Sequence, residues 1–345
     1  MPLSELPWGF PFSAARANLR AVIASPVLII GASGFVGRHL CVALDATGVA
    51  TRRATSQRKL LETTPNRAAW VYLNLDDRTT FASALEGCRS VIYLYHGLSS
   101  GKGYRIRETN AARGFRDAML QAGIGRLVYL GGVIPNENRS PHLESRRSTG
   151  EIFRDSPLLS LELRAAMIIG YGSASFNLVR DAAVRMPVLA LPPWLDNRSC
   201  PIAIDDVVYA IVRGLSIPMT ESAWFELPGP ELLSHRELIS LAANLLGTPV
   251  LKRRYSILSP KITARLLAIV GREPHSITAE LIAGLPADLT PHGPNFWHIL
   301  GEAPRRSITE AILSAIADES STRRPSAAMQ ERLALRVEGL RGAIV

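Results

Sequence analysis

Three glycines at regular spacing stand directly after a short apolar run. The segment reads Gly31-Ala-Ser-Gly34-Phe-Val-Gly37, and residues 27–30 before it are valine, leucine and isoleucine. Gly31 permits a tight turn, Gly34 lets backbone N–H groups approach a pyrophosphate, and Gly37 allows a helix to pack closely on a strand. The N–H groups and dipole at the start of that helix favour phosphate. The segment therefore predicts dinucleotide binding, with an ordinary glycine-rich strand-turn-helix as the alternative.

Two arginines occupy the position where NAD-binding proteins carry an acid. In those proteins an Asp or Glu about 20 residues after the first glycine binds the ribose 2′-hydroxyl. Here Arg52 and Arg53 stand near Ser56, and no acid lies between residues 45 and 62. Guanidinium groups suit a 2′-phosphate because they form paired hydrogen bonds with it. We predict NADP(H) as the cofactor, with NAD(H) as the alternative; a solvated basic loop extending to Arg58 and Lys59 would give the same pattern.

Short apolar runs alternate with longer helical stretches through the first half of the chain. Strands are predicted at residues 27–30, 70–73, 91–95 and 127–130, and helices at 36–46, 79–85 and about 110–122. Strands separated by helices predict an α/β fold of the Rossmann type, a doubly wound parallel sheet whose ligands bind at the carboxyl ends of the strands. After about residue 218 the pattern becomes mainly helical, with helices predicted at 234–246, 260–270 and about 308–317, and a loop rich in proline and glycine at 284–294.

These patterns divide the chain into four predicted parts. They are an N-terminal arm at 1–25, an NAD(P)-binding core at 26–218 with elements extending to about 250, a substrate or lid region at 219–318, and a linker with a terminal helix at 319–345. The arm carries Arg16 and Arg20 and would also suit a mitochondrial presequence, which its three prolines disfavour. A lid over a substrate is the expected role of the C-terminal helices; contact with a membrane surface or a protein partner is the alternative.

Composition excludes several classes of protein. Hydrophobic residues make up 47% of the 345 and charged residues 20%, which rules out a mainly disordered chain. No run approaches the ~20 apolar residues of a transmembrane helix. The three cysteines are far apart and form no metal-binding or disulfide pattern, which favours a cytoplasmic protein without metal. The net charge of +9 comes without a nucleic-acid-binding motif, so we attribute it to attraction of phosphorylated cofactors or an anionic surface.

The spacing GxxGxxG resembles that of the extended and atypical short-chain dehydrogenase/reductases. Segments 73–77, 85–92 and 126–130 resemble further landmarks of that superfamily, and 201–207 and 225–234 resemble those of its NmrA-like and complex-I-accessory-subunit-like members. The resemblance extends from about residue 27 to 250 and implies that Asn74 and Leu75 contact adenine. With His96 at the predicted strand ends, the residues predicted to bind the cofactor are Gly31, Ser33, Gly34, Phe35, Val36, Gly37, Arg52, Arg53, Asn74, Leu75 and His96.

The Tyr-x-x-x-Lys pair that typical members use for catalysis is missing. Its two side chains share a helix face, and the ammonium group lowers the tyrosine pKa so that the phenol can exchange the proton that accompanies hydride transfer. The chain has four lysines, at 59, 102, 252 and 261, and none follows a tyrosine by four residues. In the matching segment Arg147 takes the lysine position with Leu143 four residues before it, and a shift of one residue pairs Arg146 with His142. The serine expected after the fifth strand is replaced by glycines 131 and 132.

Replacement groups for catalysis are available nearby. We predict His142 as a proton donor near neutral pH, Arg147 or alternatively Arg146 as a ligand of the nicotinamide ribose, and Tyr129 at the strand ends as a third catalytic candidate. A core position for Tyr129 and a solvated helix start for the others are the alternatives. The sequence thus predicts a NADP(H)-binding oxidoreductase that reduces a small organic substrate by hydride transfer without the Tyr/Lys pair. A non-catalytic nucleotide-binding accessory subunit or redox sensor is the alternative.

Overall fold

The computed structural model describes residues 21–63, 67–97, 103–137, 140–185, 188–190, 192–248, 251–253, 260–304 and 306–322. The strands are β1 Val27–Ile30, β2 Thr51–Thr55, β3 Trp70–Tyr72, β4 Ser90–Tyr93, β5 Arg126–Gly132, β6 Ser160–Ala165, β7 Ile168–Ile169, β8 Val188–Ala190, β9 Arg198–Ser199, β10 Ile202–Ala203, β11 Ala223–Leu227, β12 Leu233–Ser234 and β13 Leu251–Arg253. The helices are α1 Phe35–Thr47, α2 Arg58–Thr63, α3 Phe81–Leu85, α4 Tyr104–Gln121, α5 Pro141–Arg154, α6 Ala174–Arg185, α7 Ile204–Gly214, α8 His235–Leu245, α9 Pro260–Val270, α10 His275–Gly284, α11 Phe296–Leu300 and α12 Ile308–Thr322. The predicted terminal helix and most of the predicted N-terminal arm lie outside these residues.

A seven-stranded parallel sheet forms the centre of the fold. Its strand order is β11-β6-β5-β4-β1-β2-β3, and every neighbouring pair is parallel. The order reverses between β1 and β4, which is the switch point where doubly wound sheets bind their ligands. The predicted Rossmann-type fold, with a helical C-terminal region, is confirmed.

The alternating side chains of the strands supply two separate cores. Val27 and Ile29 of β1 face the layer that contains α1 and α7, whereas Leu28 and Ile30 face the layer that contains α4. This division follows from the two-residue period of a strand, and it explains why a strand covered on both faces is a continuous apolar run. A third core joins α6, α8, α10 and α12. Among the residues described, no helix is both long and apolar enough to cross a membrane.

Several elements were not predicted, and three of them, β2, β6 and β11, are strands of the central sheet. β2 reads Thr-Arg-Arg-Ala-Thr and β6 reads Ser-Leu-Glu-Leu-Arg-Ala, so neither shows the apolar run of a buried strand. Both lie inside the sheet nonetheless. Helices α6, α7 and α10 were also not predicted, whereas the observed α9 coincides with the predicted range 260–270.

Candidate functional site

The glycine loop has the geometry that its spacing predicts. Gly31 adopts a φ of +83°, which favours glycine, and the amide of Gly34 donates to the Gly31 carbonyl at 2.9 Å. A Cβ on Gly37 would lie 2.1 Å from the oxygen of Gly31, so α1 packs against the turn only because residue 37 has no side chain. A Cβ on Gly34 would meet just one atom within 4 Å, that same oxygen at 3.1 Å. No side chain caps the start of α1, and its first turn holds no acid. The loop therefore fits a pyrophosphate.

One continuous cavity of about 780 Å³ runs along the carboxyl ends of the strands. The residues predicted to bind the cofactor that line this cavity are Gly31, Ser33, Gly34, Phe35, Val36, Gly37, Asn74, Leu75 and His96. Thr55, Ser56 and Asp76 extend this lining at the ends of β2 and β3, while Gly131, Gly132, His142 and Arg146 extend it at the end of β5 and on α5. Because the glycine loop lies between these two groups, the cavity can hold an extended dinucleotide with its adenosine near β2 and β3.

Arg52 and Arg53 do not line the cavity. The guanidinium of Arg52 donates to the carbonyls of Ser83 at 2.7 Å and Glu86 at 3.1 Å. Arg53 is nearly buried and is paired with Asp45 of α1. In this structure β2 instead presents Thr55 and Ser56 to the cavity.

Two alignments place either Leu143 and Arg147 or His142 and Arg146 at the positions of the missing Tyr/Lys pair. In the structure both residues of the second alignment, His142 and Arg146, line the cavity. They are four residues apart on α5 and line it together, and the Arg146 guanidinium donates to the Leu130 carbonyl at 3.1 Å. Arg147 does not line the cavity. It forms ion pairs along the same helix with Glu144 at 2.6 Å and Glu151 at 2.8 Å.

Tyr129 lies beneath the cavity rather than in its wall. It is fully buried in β5, and its ring packs edge-on against Tyr93 and Phe153. Its hydroxyl donates to the backbone carbonyl of Arg146 at 3.3 Å. Tyr129 therefore supports the backbone of α5 at the position of Arg146, and burial raises its pKa above the ordinary value.

The two histidines at the cofactor end of the cavity, His96 and His142, have depressed pKa values and are neutral at physiological pH. Desolvation by the surrounding protein, followed by the charge of Arg146, lowers the pKa of His96 to about 3. The same causes, with His96 in addition, hold the pKa of His142 well below its usual range. Desolvation also acts against the charge of Arg146, but Tyr129 and Glu108 raise its pKa above the ordinary value. A neutral imidazole can donate one N–H hydrogen bond, but it holds no additional proton to transfer. Arg146 supplies the positive charge at this end of the cavity.

Beyond the histidines the cavity continues between helices of the C-terminal half. Its wall there is mostly apolar and includes Leu178, Val179, Ala182, Trp194, Leu195, Ile239, Ile277, Leu281, Ile282, Leu285 and Leu289, with the polar side chains of Ser199, His235, Thr263 and Glu280 among them. The sequence analysis did not identify His235 or Ser199. The only local signal was the capping box formed by Ser234 and Glu237, which marks a helix start and says nothing about a cavity.

His235 makes the stability of the protein depend on pH. Burial lowers its pKa to about 4, against about 6.5 when unfolded. As the pH falls from 6.5 towards 4 the unfolded chain gains a proton that the folded chain does not, so stability is lost in that window. Between pH 7 and pH 5 we expect the free energy of unfolding to fall by about 2 kcal/mol less in His235→Phe than in the unchanged protein. Chemical denaturation of both proteins at the two pH values measures it.

The comparison with the variant is needed because other groups titrate in the same range. His96 and His142 act in the same direction as His235. Burial raises the pKa of Asp205 to about 7, which acts in the opposite direction. Identical pH dependence of the wild-type protein and His235→Phe would contradict a depressed pKa at His235.

Comparison with known families and structures agrees with this geometry. Residues 31–159 match the family described as NAD(P)H-binding. No curated protein matches the chain significantly. In the part of the chain that the structure describes, no three His, Cys, Asp or Glu side chains are grouped so that they could hold a metal ion.

Solved structures of low sequence identity share the fold. A nucleoside-diphosphate-sugar epimerase from Staphylococcus aureus is 15% identical, with 84% of this chain and 99% of that chain covered and a TM-score of 0.66. The UDP-glucose 4-epimerase from Thermotoga maritima, solved with UDP-glucose, is 13% identical over 86% of this chain and 99% of that chain, with a TM-score of 0.65. A dTDP-glucose 4,6-dehydratase from Streptomyces venezuelae, solved with NAD, is 15% identical over 85% and 96%, with a TM-score of 0.64.

Proposed function

We propose that this chain, an NAD(P)H-binding member of the atypical short-chain dehydrogenase/reductases, is a reductase that transfers hydride from NADPH to a small organic substrate. The observation that carries the proposal is the continuity of the cavity. The surface that fits a dinucleotide continues past His142 and Arg146 into a pocket between the C-terminal helices. A protein that only bound the dinucleotide would need no second compartment beside the reactive end of the cofactor.

The residues at the junction of the two compartments determine what the site can do. Bound NADPH would supply a hydride ion to an electron-poor carbon of the substrate. Arg146, held by its bond to the Leu130 carbonyl, is placed to hydrogen-bond the nicotinamide ribose in the role that lysine has in typical members. The neutral imidazoles of His96 and His142 donate hydrogen bonds to substrate oxygen that gains negative charge. Since neither holds an additional proton, water supplies the proton that completes the reduction.

The preference for NADP(H) is supported by the residues at the end of β2. Thr55 and Ser56 line the cavity where NAD-binding proteins have an acid, and Asp76, which also lines it, follows β3 instead. The guanidinium groups of Arg52 and Arg53 lie outside the cavity wall, and the charge of Arg53 is offset by Asp45, so their contribution is limited to the positive potential of Arg52.

Ser56→Asp tests this preference. The new carboxylate would repel a 2′-phosphate and accept hydrogen bonds from a 2′-hydroxyl. We expect the affinity for NADPH to fall by about 10- to 100-fold while that for NADH is kept or improved. Isothermal titration calorimetry with both cofactors measures the change. Gln57→Asp is the matched control, because it introduces the same charge one residue along the chain at an exposed position that does not line the cavity. Equal losses in the two variants, or tighter binding of NADH by the unchanged protein, would contradict the assignment.

The reductase proposal is tested on the purified protein. Native mass spectrometry identifies any dinucleotide that copurifies, and the loss of NADPH absorbance is followed with a panel of quinones, enones and ketones. Acceptor-dependent oxidation that Arg146→Leu abolishes would support the proposal. The missing Tyr/Lys pair and the neutral histidines favour a second candidate, a non-catalytic accessory subunit or redox sensor. Tight binding of NADPH that no acceptor oxidises, together with a copurifying protein, would support that candidate.

A further inference from the structure

Two buried polar atoms in the C-terminal part of the cavity have no hydrogen-bond partner among the described residues. They are Nε2 of His235 and Oγ of Ser199. Both side chains line the cavity and are only 4% and 1% exposed. A buried polar atom without a partner costs about 1–3 kcal/mol. Because bulk water scarcely reaches these atoms, a polar group on a molecule bound in the cavity is the partner that would remove this cost.

The backbone places the two side chains on one face of a small ribbon. Ser199 of β9 pairs with Leu233 of β12 in an antiparallel register, and the amide of His235 donates to the Asn197 carbonyl at 3.2 Å. This hydrogen bond continues the antiparallel pairing by one position, to Asn197 and to the first residue of α8, His235. Ser199 and His235 are therefore diagonal neighbours across the extended ribbon. The Ser199 hydroxyl donates a hydrogen bond, and so does Nε2 of His235 in the tautomer that carries its proton there; together they suit one carbonyl oxygen, which has two lone pairs.

The charges around the cavity disfavour an anionic ligand in this compartment. Arg146 is the one arginine or lysine among the described residues that line the cavity. Glu280 also lines it and accepts a hydrogen bond from the Tyr104 hydroxyl at 3.0 Å. Burial lowers the pKa of His235 to about 4, so its imidazole does not add positive charge. Diphosphates are commonly bound by arginine or lysine, and the described residues of this compartment offer neither beyond the cofactor end.

We propose that Ser199 and His235 form a substrate-recognition site for a carbonyl oxygen of a neutral, largely apolar compound, distinct from the oxygen at His96 and His142 that gains charge in the reduction. The body of the compound packs against apolar side chains such as Val179, Ile239 and Leu281. This proposal rests on the proposed reductase function and specifies its substrate class. The proposed ligand is neutral, unlike the UDP-glucose with which the Thermotoga maritima structure of similar fold was solved.

The test compares ketones with hydrocarbons of the same shape. Cyclohexanone, 1-tetralone and 9-fluorenone are titrated into the NADPH-bound protein by calorimetry beside cyclohexane, tetralin and fluorene, with UDP-glucose as the anionic probe. We expect at least one ketone to bind about tenfold or more tightly than its hydrocarbon, because only the ketone satisfies both polar atoms. UDP-glucose is expected not to bind. Equal affinities for each ketone and its hydrocarbon, no binding of any ketone, or tighter binding of UDP-glucose would overturn the proposal.

Ser199→Ala and His235→Phe remove the polar atoms while largely keeping shape. Both variants should lose the preference for ketone over hydrocarbon and keep their affinity for NADPH. Because each removes an unpaired buried polar atom, each should also raise the midpoint of thermal unfolding in the absence of ketone. A lowered midpoint with an unchanged ketone preference would show a structural role and contradict the proposal. Failure of the unchanged protein to bind NADPH would instead contradict the proposed function.

Discussion

Gly34→Leu is expected to abolish measurable dinucleotide binding while leaving the protein folded. Gly34 has a φ of −74° and a ψ of 178°, a conformation that leucine adopts without strain. Only the Gly31 oxygen lies near the added Cβ, so the rest of the side chain enters the cavity in front of the first amides of α1. Losing two charge-assisted hydrogen bonds to phosphate corresponds to a loss in affinity of at least about 100-fold. Titration with NADPH and a thermal unfolding curve measure the two effects.

The matched control is the same small change at two glycines of one loop. Gly34→Ala should weaken NADPH binding with little effect on unfolding. Gly37→Ala should destabilise the protein itself, because its Cβ would lie 2.1 Å from the Gly31 oxygen and 2.7 Å from the Ala32 Cα, both backbone atoms. If Gly34→Leu bound NADPH with unchanged affinity, the cofactor would not lie on this loop.

The sequence was sufficient to predict the fold class because β1 and β4, the strands nearest the glycine loop, are apolar except for Ser90 at the start of β4. β1 and β4 are buried on both faces, so each appears in the sequence as a largely apolar run that predicts a buried strand. β6 is buried along its whole length and β2 over its last three residues, but neither was predicted, since both carry buried charges. Arg53 of β2 is paired with Asp45, and Arg164 of β6 donates to Glu162 at 2.8 Å. Such strands are tolerated because the charges have partners, and the partner of Arg53 is supplied by a different element.

The candidate site was predictable to the extent that local sequence determines it. The turn, the amide groups and the helix packing of the glycine loop all depend on residues within seven positions of each other. The choice between Arg146 and Arg147 depends instead on which face α5 turns towards the sheet. The helix start was visible in Ser140, which caps it, and in the proline that follows, but its rotation depends on packing. The place of His235 depends on the pairing of β9 with β12, which no local pattern indicates.

Arg146→Leu is expected to weaken both the fold and cofactor binding, whereas the neighbouring Arg147→Leu should affect neither appreciably. The positive charge of Arg146 interacts favourably with the negative charge of Glu108. Glu108 is a buried acid, 1% exposed, that accepts a hydrogen bond from the Ser145 hydroxyl. No direct ion pair joins the described side chains of Arg146 and Glu108, so leaving Glu108 without this charge costs less than breaking a buried ion pair, and we expect about 1–2 kcal/mol. The ion pairs of Arg147 are partly solvated and contribute less than about 1 kcal/mol. Urea unfolding and NADPH titration of both variants measure the contrast.

A double variant separates the two effects of Arg146. Glu108→Gln removes the buried negative charge, so combining it with Arg146→Leu should recover much of the lost stability. It should not recover the affinity for NADPH, which we expect to stay about tenfold or more below that of the unchanged protein, because the guanidinium that hydrogen-bonds the ribose is still missing. If the double variant bound NADPH normally, Arg146 would act only by balancing Glu108. If Arg147→Leu weakened NADPH binding more than Arg146→Leu, the alternative alignment, with Arg147 in the lysine position, would be the correct one. The two neighbouring arginines therefore decide which face of α5 holds the cofactor.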